Sequence, residues 1–388
     1  MLHERPEVER EILLALDATP PRVPVVLGLS GSGRTSVLRG IEARLDRVPS
    51  RYVDAERVLS TPERFLGTLI GPDSSQGAVP IPADSPRAAF DALLDYISQP
   101  ARPSGPQQPI LLLDEFLELE RLNAFPGLRG LLGQFLEAVT RSSNRLVLTS
   151  RYIARATRLL ASLPANRFTV VDLPPLSAAE VRAVLAERMA SPDDTDLDEL
   201  AGVVLSLADG RPSYVHRIAD GLVADEGAND PLSALAAQMG SGAPLATALR
   251  FTYELRLHRA RGYSALKGVL ATLADEEPLT LSDIARRLGR TPGSTKDYLL
   301  WLADVDLIAG EAKRYRFADP LLRLWVRLHC RPSPPNDVAL AREVQDYAVS
   351  RLPPGGAMTP DDHDLPSSGE SGATPLLPEP PVDLIEID

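Results

Sequence analysis

The 388-residue sequence is 44% hydrophobic and 24% charged, which fits a globular chain of two or three domains rather than one compact unit. A lone cysteine, Cys330, excludes an internal disulfide framework and a cysteine zinc cluster, and five scattered histidines offer no ligand-like pair. The net charge of −12 argues against strong non-specific nucleic-acid binding. Most of that charge sits in residues 353–388, which hold eight acids and no Lys or Arg.

The amino terminus, MLHERPEVER, is charged from its start, and no run reaches the roughly 18 apolar residues of a spanning helix. The expected setting is cytoplasmic, with no membrane partner. Residues 6–18 carry a helical apolar pattern (Val8, Ile12, Leu13, Leu16) that stops at Pro20-Pro21. The run Val23–Leu27 reads as a buried strand, followed by a glycine loop and a helix from Arg34 to about residue 47. Further strands are expected at Arg51–Asp54, Ile110–Asp114, Arg145–Thr149 and Phe168–Asp172, with a helix near 86–97 between Pro/Gly/Ser-rich loops at 71–86 and 99–109. Apolar runs alternating with helix-length stretches predict an α/β fold: a three-layer core around a parallel five-stranded sheet.

After Pro174-Pro175 the strand pattern ends, and residues 177–260 read as helical. From Tyr263 the parts are a helix to Leu273, a capped helix at Leu279–Gly289, a turn at Arg290–Gly293, a helix at Ser294–Ala303 and a hairpin at Leu307–Phe317. This order looks like a winged helix-turn-helix. A last helix fits 335–352, and the acidic, Pro/Gly/Ser-rich remainder is expected to be disordered.

Gly28-Leu29-Ser30-Gly31-Ser32-Gly33-Arg34-Thr35-Ser36 has the spacing of a phosphate loop, with Arg34 where lysine is usual. Glycines permit a tight turn whose backbone N–H groups point at phosphate, and the following helix adds its positive end. Thr35 is placed to ligate Mg²⁺. About 80 residues on, Ile110–Leu113 ends in Asp114-Glu115. A buried strand would deliver Asp114 to the Mg²⁺ water shell and Glu115 to the attacking water. Thr149, Ser150 and Arg151 close the next strand, where a polar group and a cation could meet the γ-phosphate. The ligands expected are therefore ATP and Mg²⁺. An arginine in place of the loop lysine pairs with phosphate in a planar fork, a geometry that predicts binding with slow turnover.

Together the loop, the D-E strand end and the T-S-R strand end resemble the STAND and archaeal-ATPase branch of the AAA-related P-loop ATPases, over roughly residues 20–330. The resemblance implies a nucleotide-state sensor at Thr149, Ser150 and Arg151. It also implies a G-x-P element near the adenine, matched by Gly210-Arg211-Pro212, and a D-P-x-x-R-x-W segment, matched by Asp319–Trp325. The division expected is an ATPase core at 1–174, a helical lid at 175–260, a winged helix at 261–332, a helix at 333–352 and an acidic tail at 353–388.

Three functions are left open: a nucleotide-dependent switch coupled to the winged helix, an ATP-dependent DNA-binding initiator or transcriptional regulator, and a scaffold that keeps a degenerate nucleotide site for folding. For DNA, Arg286, Arg287, Arg290, Lys296, Lys313, Arg314 and Arg316 could meet phosphates and Thr291, Ser294 and Thr295 bases. Alternatively the unit packs on protein. Arg155 and Arg158 could act on a neighbouring subunit in a homo-oligomer, and the terminal Val382–Asp388 segment could dock on a protein partner.

Overall fold

The computed structural model describes residues 5–45, 48–71, 85–98, 109–189, 194–224, 230–260 and 262–352. The expected acidic tail and most of the two Pro/Gly-rich loops lie outside these. The chain opens with α1 (Pro6–Asp17), β1 (Val23–Leu27), α2 (Arg34–Arg44), β2 (Ser50–Asp54), α3 (Ala55–Val58), α4 (Pro62–Ile70) and α5 (Pro86–Ser98). There follow β3 (Ile110–Asp114), a 3-10 stretch (Phe116–Ala124), α6 (Leu131–Arg141), β4 (Leu146–Ser150), α7 (Ile153–Leu160) and β5 (Phe168–Asp172).

The five strands form one parallel sheet in the order β2-β3-β4-β1-β5. Its strands read as continuous apolar runs because both faces are covered. Side chains alternate between two cores. Val26, Ile110, Leu112, Val147 and Val171 pack with Val8, Ile12 and Leu16 of α1 and Val37, Leu38 and Ile41 of α2. Val25, Leu27, Leu111, Leu113, Leu146 and Leu148 face the opposite layer, with Phe65, Phe90 and Phe135 from α4, α5 and α6. The three-layer α/β P-loop fold expected from the sequence is therefore the fold observed.

Beyond the sheet come α8 (Ala178–Arg188), α9 (Asp194–Ala208), α10 (Pro212–Ala224), α11 (Pro231–Met239) and α12 (Pro244–Arg259). A C-terminal unit then runs α13 (Tyr263–Asp275), β6 (Leu279–Thr280), α14 (Leu281–Leu288), α15 (Pro292–Asp304), β7 (Ile308–Glu311), β8 (Arg314–Phe317), α16 (Pro320–His329) and α17 (Asp337–Val349). Its short antiparallel sheet has the order β6-β8-β7. Side-chain caps from Thr280, Thr291, Asp319 and Asn336 start α14, α15, α16 and α17, and Gly289 in the left-handed region (φ +61°) ends α14. No helix among the described residues is long and apolar enough to cross a membrane.

Candidate functional site

Insertion of β4 between β1 and β3 brings three strand ends together: the glycine loop after β1, the acids after β3 and the polar end of β4. Gly31 and Gly33 hold φ of +80° and +94°, the left-handed turns that only glycine adopts without strain, and α2 begins directly after them. A Cβ on Gly31 would lie 2.0 Å from Ser213 Oγ, so the helix that opens at Pro212 presses against the loop. The Ser213 N–H also donates to the Gly31 carbonyl at 3.2 Å.

Asp114 is gathered by hydroxyls. Thr35 donates to its Oδ2 at 2.7 Å and Tyr52 at 3.0 Å, while Thr149 donates to Oδ1. The Thr149 oxygen in turn accepts the Glu115 N–H at 3.1 Å. Burial and Asp114 push the Tyr52 hydroxyl well above its ordinary range, so it remains a donor. The Arg39 guanidinium stacks 3.6 Å over the Tyr52 ring.

Glu115 takes a left-handed backbone (φ +59°), unusual for a side chain of this size and costing on the order of 1–3 kcal/mol. Its carboxylate is enclosed by arginines. Arg34 Nη2 donates to Oε1 at 2.6 Å, Arg151 Nε lies 3.1 Å from the same oxygen, and the Arg151 N–H donates to Oε2 at 3.1 Å. Burial alone would raise the carboxyl; Arg34 and Arg151 overcome it and hold the group below the usual carboxylate range. Arg34 also donates from Nη1 to the carbonyls of Gly28 and, at 2.7 Å, Leu29. The loop cation, only 8% exposed, is thus bound by its own loop and by Glu115. Arg151 extends further, to Glu56.

A cavity of about 310 Å³ is lined by Gly31, Ser32, Gly33, Arg34, Thr35, Ser36 and Pro212, together with Arg5, Ser213 and His216. Arg5 is fixed by donating to the Pro174 carbonyl at 2.6 Å. Sequence reasoning missed Arg5, Tyr52, Ser213, His216 and Arg256. The signals present were an arginine heading α1 and polar residues in the first turn after Pro212; nothing local marked Tyr52 or Arg256.

The C-terminal unit is anchored to this site by buried polar contacts. Arg211 Nη1 pairs with Asp319 Oδ2 at 2.5 Å, and the Tyr214 hydroxyl donates to the same oxygen at 2.6 Å. The G-x-P and D-P-x-x-R-x-W segments therefore meet. Arg256 of α12 donates to Ser30 Oγ at 3.3 Å and to the carbonyls of Val305, at 3.0 Å, and Asp306. Arg158 pairs with Asp304 and Arg155 with Glu120 inside the same chain.

One expectation about the C-terminal surface needs correction. Thr295 does not face solvent: it is fully buried, and its hydroxyl donates to the Thr291 carbonyl one turn back at 3.0 Å. Arg286 and Arg287 are paired with Asp283 and Glu276.

Asp306 Oδ1 accepts the Ala154 N–H at 3.1 Å, but burial raises its carboxyl to about 6. A folded-state value above the ordinary 3.8 means that the folded chain takes up the proton more readily. Its favourable contribution is complete below the unfolded value and is lost as pH rises through about 6. Ionised Asp306 then costs on the order of 3 kcal/mol. Asparagine tolerates the residue's positive φ (+51°). Asp306→Asn is expected to raise the melting temperature by a few degrees at about pH 8, with the gain shrinking towards about pH 4. A gain that is equal at both, or larger in acid, would contradict this assignment.

The loop, the acidic strand end and the strand order define a P-loop ATPase fold. The sequence matches no protein-family model and no curated protein. Among solved structures, it is similar to the Walker-type ATPase PABY2304 of Pyrococcus abyssi, at 19% identity over 84% of this chain and 95% of that one, with a TM-score of 0.59. A RuvB Holliday junction branch migration motor from Thermotoga maritima aligns at 14% identity over 81% of this chain and 92% of its own (TM-score 0.38). A STAND protein with a tetratricopeptide repeat sensor from Pyrococcus horikoshii aligns at 16% identity over 90% of this chain and 46% of its own (TM-score 0.34).

Proposed function

We propose that the chain is an ATP-binding, slowly hydrolysing P-loop ATPase that acts as a nucleotide-dependent switch. The observation that carries this reading is the cluster in which Thr35, Asp114, Thr149, Glu115 and Arg34 are joined by hydrogen bonds at the mouth of the loop. Gly28, Ser30, Gly31, Ser32, Gly33, Arg34, Thr35 and Ser36 would cradle the phosphates, with Thr149 beside them and Pro212 towards the base. The donor set fits Mg²⁺. Thr35 and Asp114 supply one hydroxyl and one carboxylate, and this ion usually keeps several waters and takes its other ligands from phosphate. When bound, it neutralises phosphate charge. Glu115 would polarise the attacking water and Arg151 would stabilise charge on the terminal phosphate, while Arg34, held by Glu115, keeps turnover low.

The switch would run through the helical lid at 175–260 into residues 261–332, used as a winged helix. The order of α13, β6, α14, α15, β7 and β8 supports that assignment, with α14–α15 as the helix-turn-helix and β7–β8 as the wing. Contacts from Ser30 through Arg256 to Val305, and from Arg211 to Asp319, support this route. Mg-ATP at about 100 times its dissociation constant is expected to stabilise the protein by about 2.7 kcal/mol, read as a rise in melting temperature. A flat melting temperature at millimolar Mg-ATP would reduce the loop to a folding element without nucleotide function.

A further inference from the structure

We propose that Arg256 is a ligand for the terminal phosphate of the nucleotide, and that capturing this phosphate draws Arg256 away from the C-terminal unit. The inference rests on the nucleotide-binding reading above and adds a residue outside the loop and strand ends.

Arg256 is 3% exposed, and a buried guanidinium is normally matched by an acid. Its hydrogen bonds instead go to neutral oxygens: the carbonyls of Val305 and Asp306 and the Ser30 hydroxyl. Its Nε has no partner, and among the described residues no carboxylate forms an ion pair with it. Burial lowers its pKa, and the attraction of Asp306 and Asp319 does not make up the difference. The guanidiniums of the loop and of the β4 end are differently placed. Arg34 is bound by Glu115, and Arg151 by Glu115 and Glu56.

The position of Arg256 selects the ligand. It touches the loop at Ser30, and its guanidinium lies 5.8 Å from the Tyr152 ring centre, where Arg151 approaches to 6.0 Å. Arg256 does not line the cavity of Arg5, Pro212 and His216. A chain of phosphates running from that cavity through the loop would end beside Arg256. A phosphate offers the guanidinium an opposite charge and a bidentate pair of acceptors, which backbone carbonyls do not, so Val305 and Asp306 would lose the competition. Those two residues form the turn between α15 and β7, and Asp306 also holds the Ala154 N–H. The triphosphate would thereby loosen the C-terminal unit, and a diphosphate would not.

The experiment is calorimetric titration of the full chain with ADP and with a non-hydrolysable ATP analogue, both with Mg²⁺. Arg256→Gln should weaken analogue binding at least about tenfold while ADP affinity changes less than about twofold, and Arg256→Lys should retain most of the preference. Equal losses for both nucleotides, or none, would overturn the assignment. Hydrogen exchange on the unaltered chain gives an answer even if Arg256→Gln does not fold. Amides of residues 303–307 should exchange faster with the analogue than with ADP, and identical protection would overturn the proposal. Failure of the unaltered chain to bind either nucleotide would instead remove the reading on which the proposal rests.

Discussion

Arg34→Lys is expected to raise steady-state ATP turnover at least about tenfold, equivalent to about 1.4 kcal/mol of barrier. The arginine now spans two loop carbonyls and Glu115 with one planar group. An ammonium is a compact point charge with three rotatable donors; it cannot reproduce that fork. Lysine would leave Glu115 to Arg151 alone, freeing the lone pair on Oε1 that Arg34 now occupies to receive a proton, and would present its charge to the phosphates. Nucleotide affinity should change much less than the rate, because the backbone cradle is untouched. Steady-state hydrolysis and binding assays on both proteins measure this. An equal or slower rate in Arg34→Lys would show that the arginine does not restrain catalysis.

Asp319→Ala is expected to cost about 3–5 kcal/mol of stability, the scale for removing one partner of a buried ion pair. The carboxylate does three things at once. It neutralises Arg211, which is 7% exposed; it accepts the Tyr214 hydroxyl; and through Oδ1 it caps α16 at the N–H groups of Leu321 and Leu322. Loss of the cap accounts for about 1 kcal/mol, and most of the remainder is the uncompensated guanidinium. The double variant Arg211→Met/Asp319→Leu should recover part of the loss, since an apolar pair leaves no buried charge. Thermal and urea unfolding would measure both variants. A loss under about 1 kcal/mol in Asp319→Ala would mean that the joint between lid and C-terminal unit is not held by this pair.

Much of this architecture is legible in the sequence, for a physical reason. A parallel sheet covered on both faces writes itself as short apolar runs, and Val23–Leu27, Ile110–Leu113 and Leu146–Leu148 are such runs. Their C-terminal ends are contiguous with the loop, with Asp114-Glu115 and with Thr149–Arg151, so spacing alone could nominate those residues. Spacing could not say where side chains turn. Arg34 has the position of a phosphate ligand, yet its partner is an acid 81 residues away, brought near by strand order. Arg256 lies 226 residues from Ser30 on a helix with little amphipathic pattern, so no local signal could connect them. Thr295 failed differently. A threonine in a helix's first turns can serve either a base edge or the carbonyl four residues back, and the sequence does not distinguish them.

A structure solved with Mg²⁺ and a non-hydrolysable ATP analogue tests the central claim most directly. The account predicts phosphates on the N–H groups between Gly31 and Thr35, Mg²⁺ beside Thr35 and Asp114, and the base in the cavity of Arg5, Pro212 and His216. An empty loop at saturating analogue, or phosphates bound elsewhere on the chain, would contradict it.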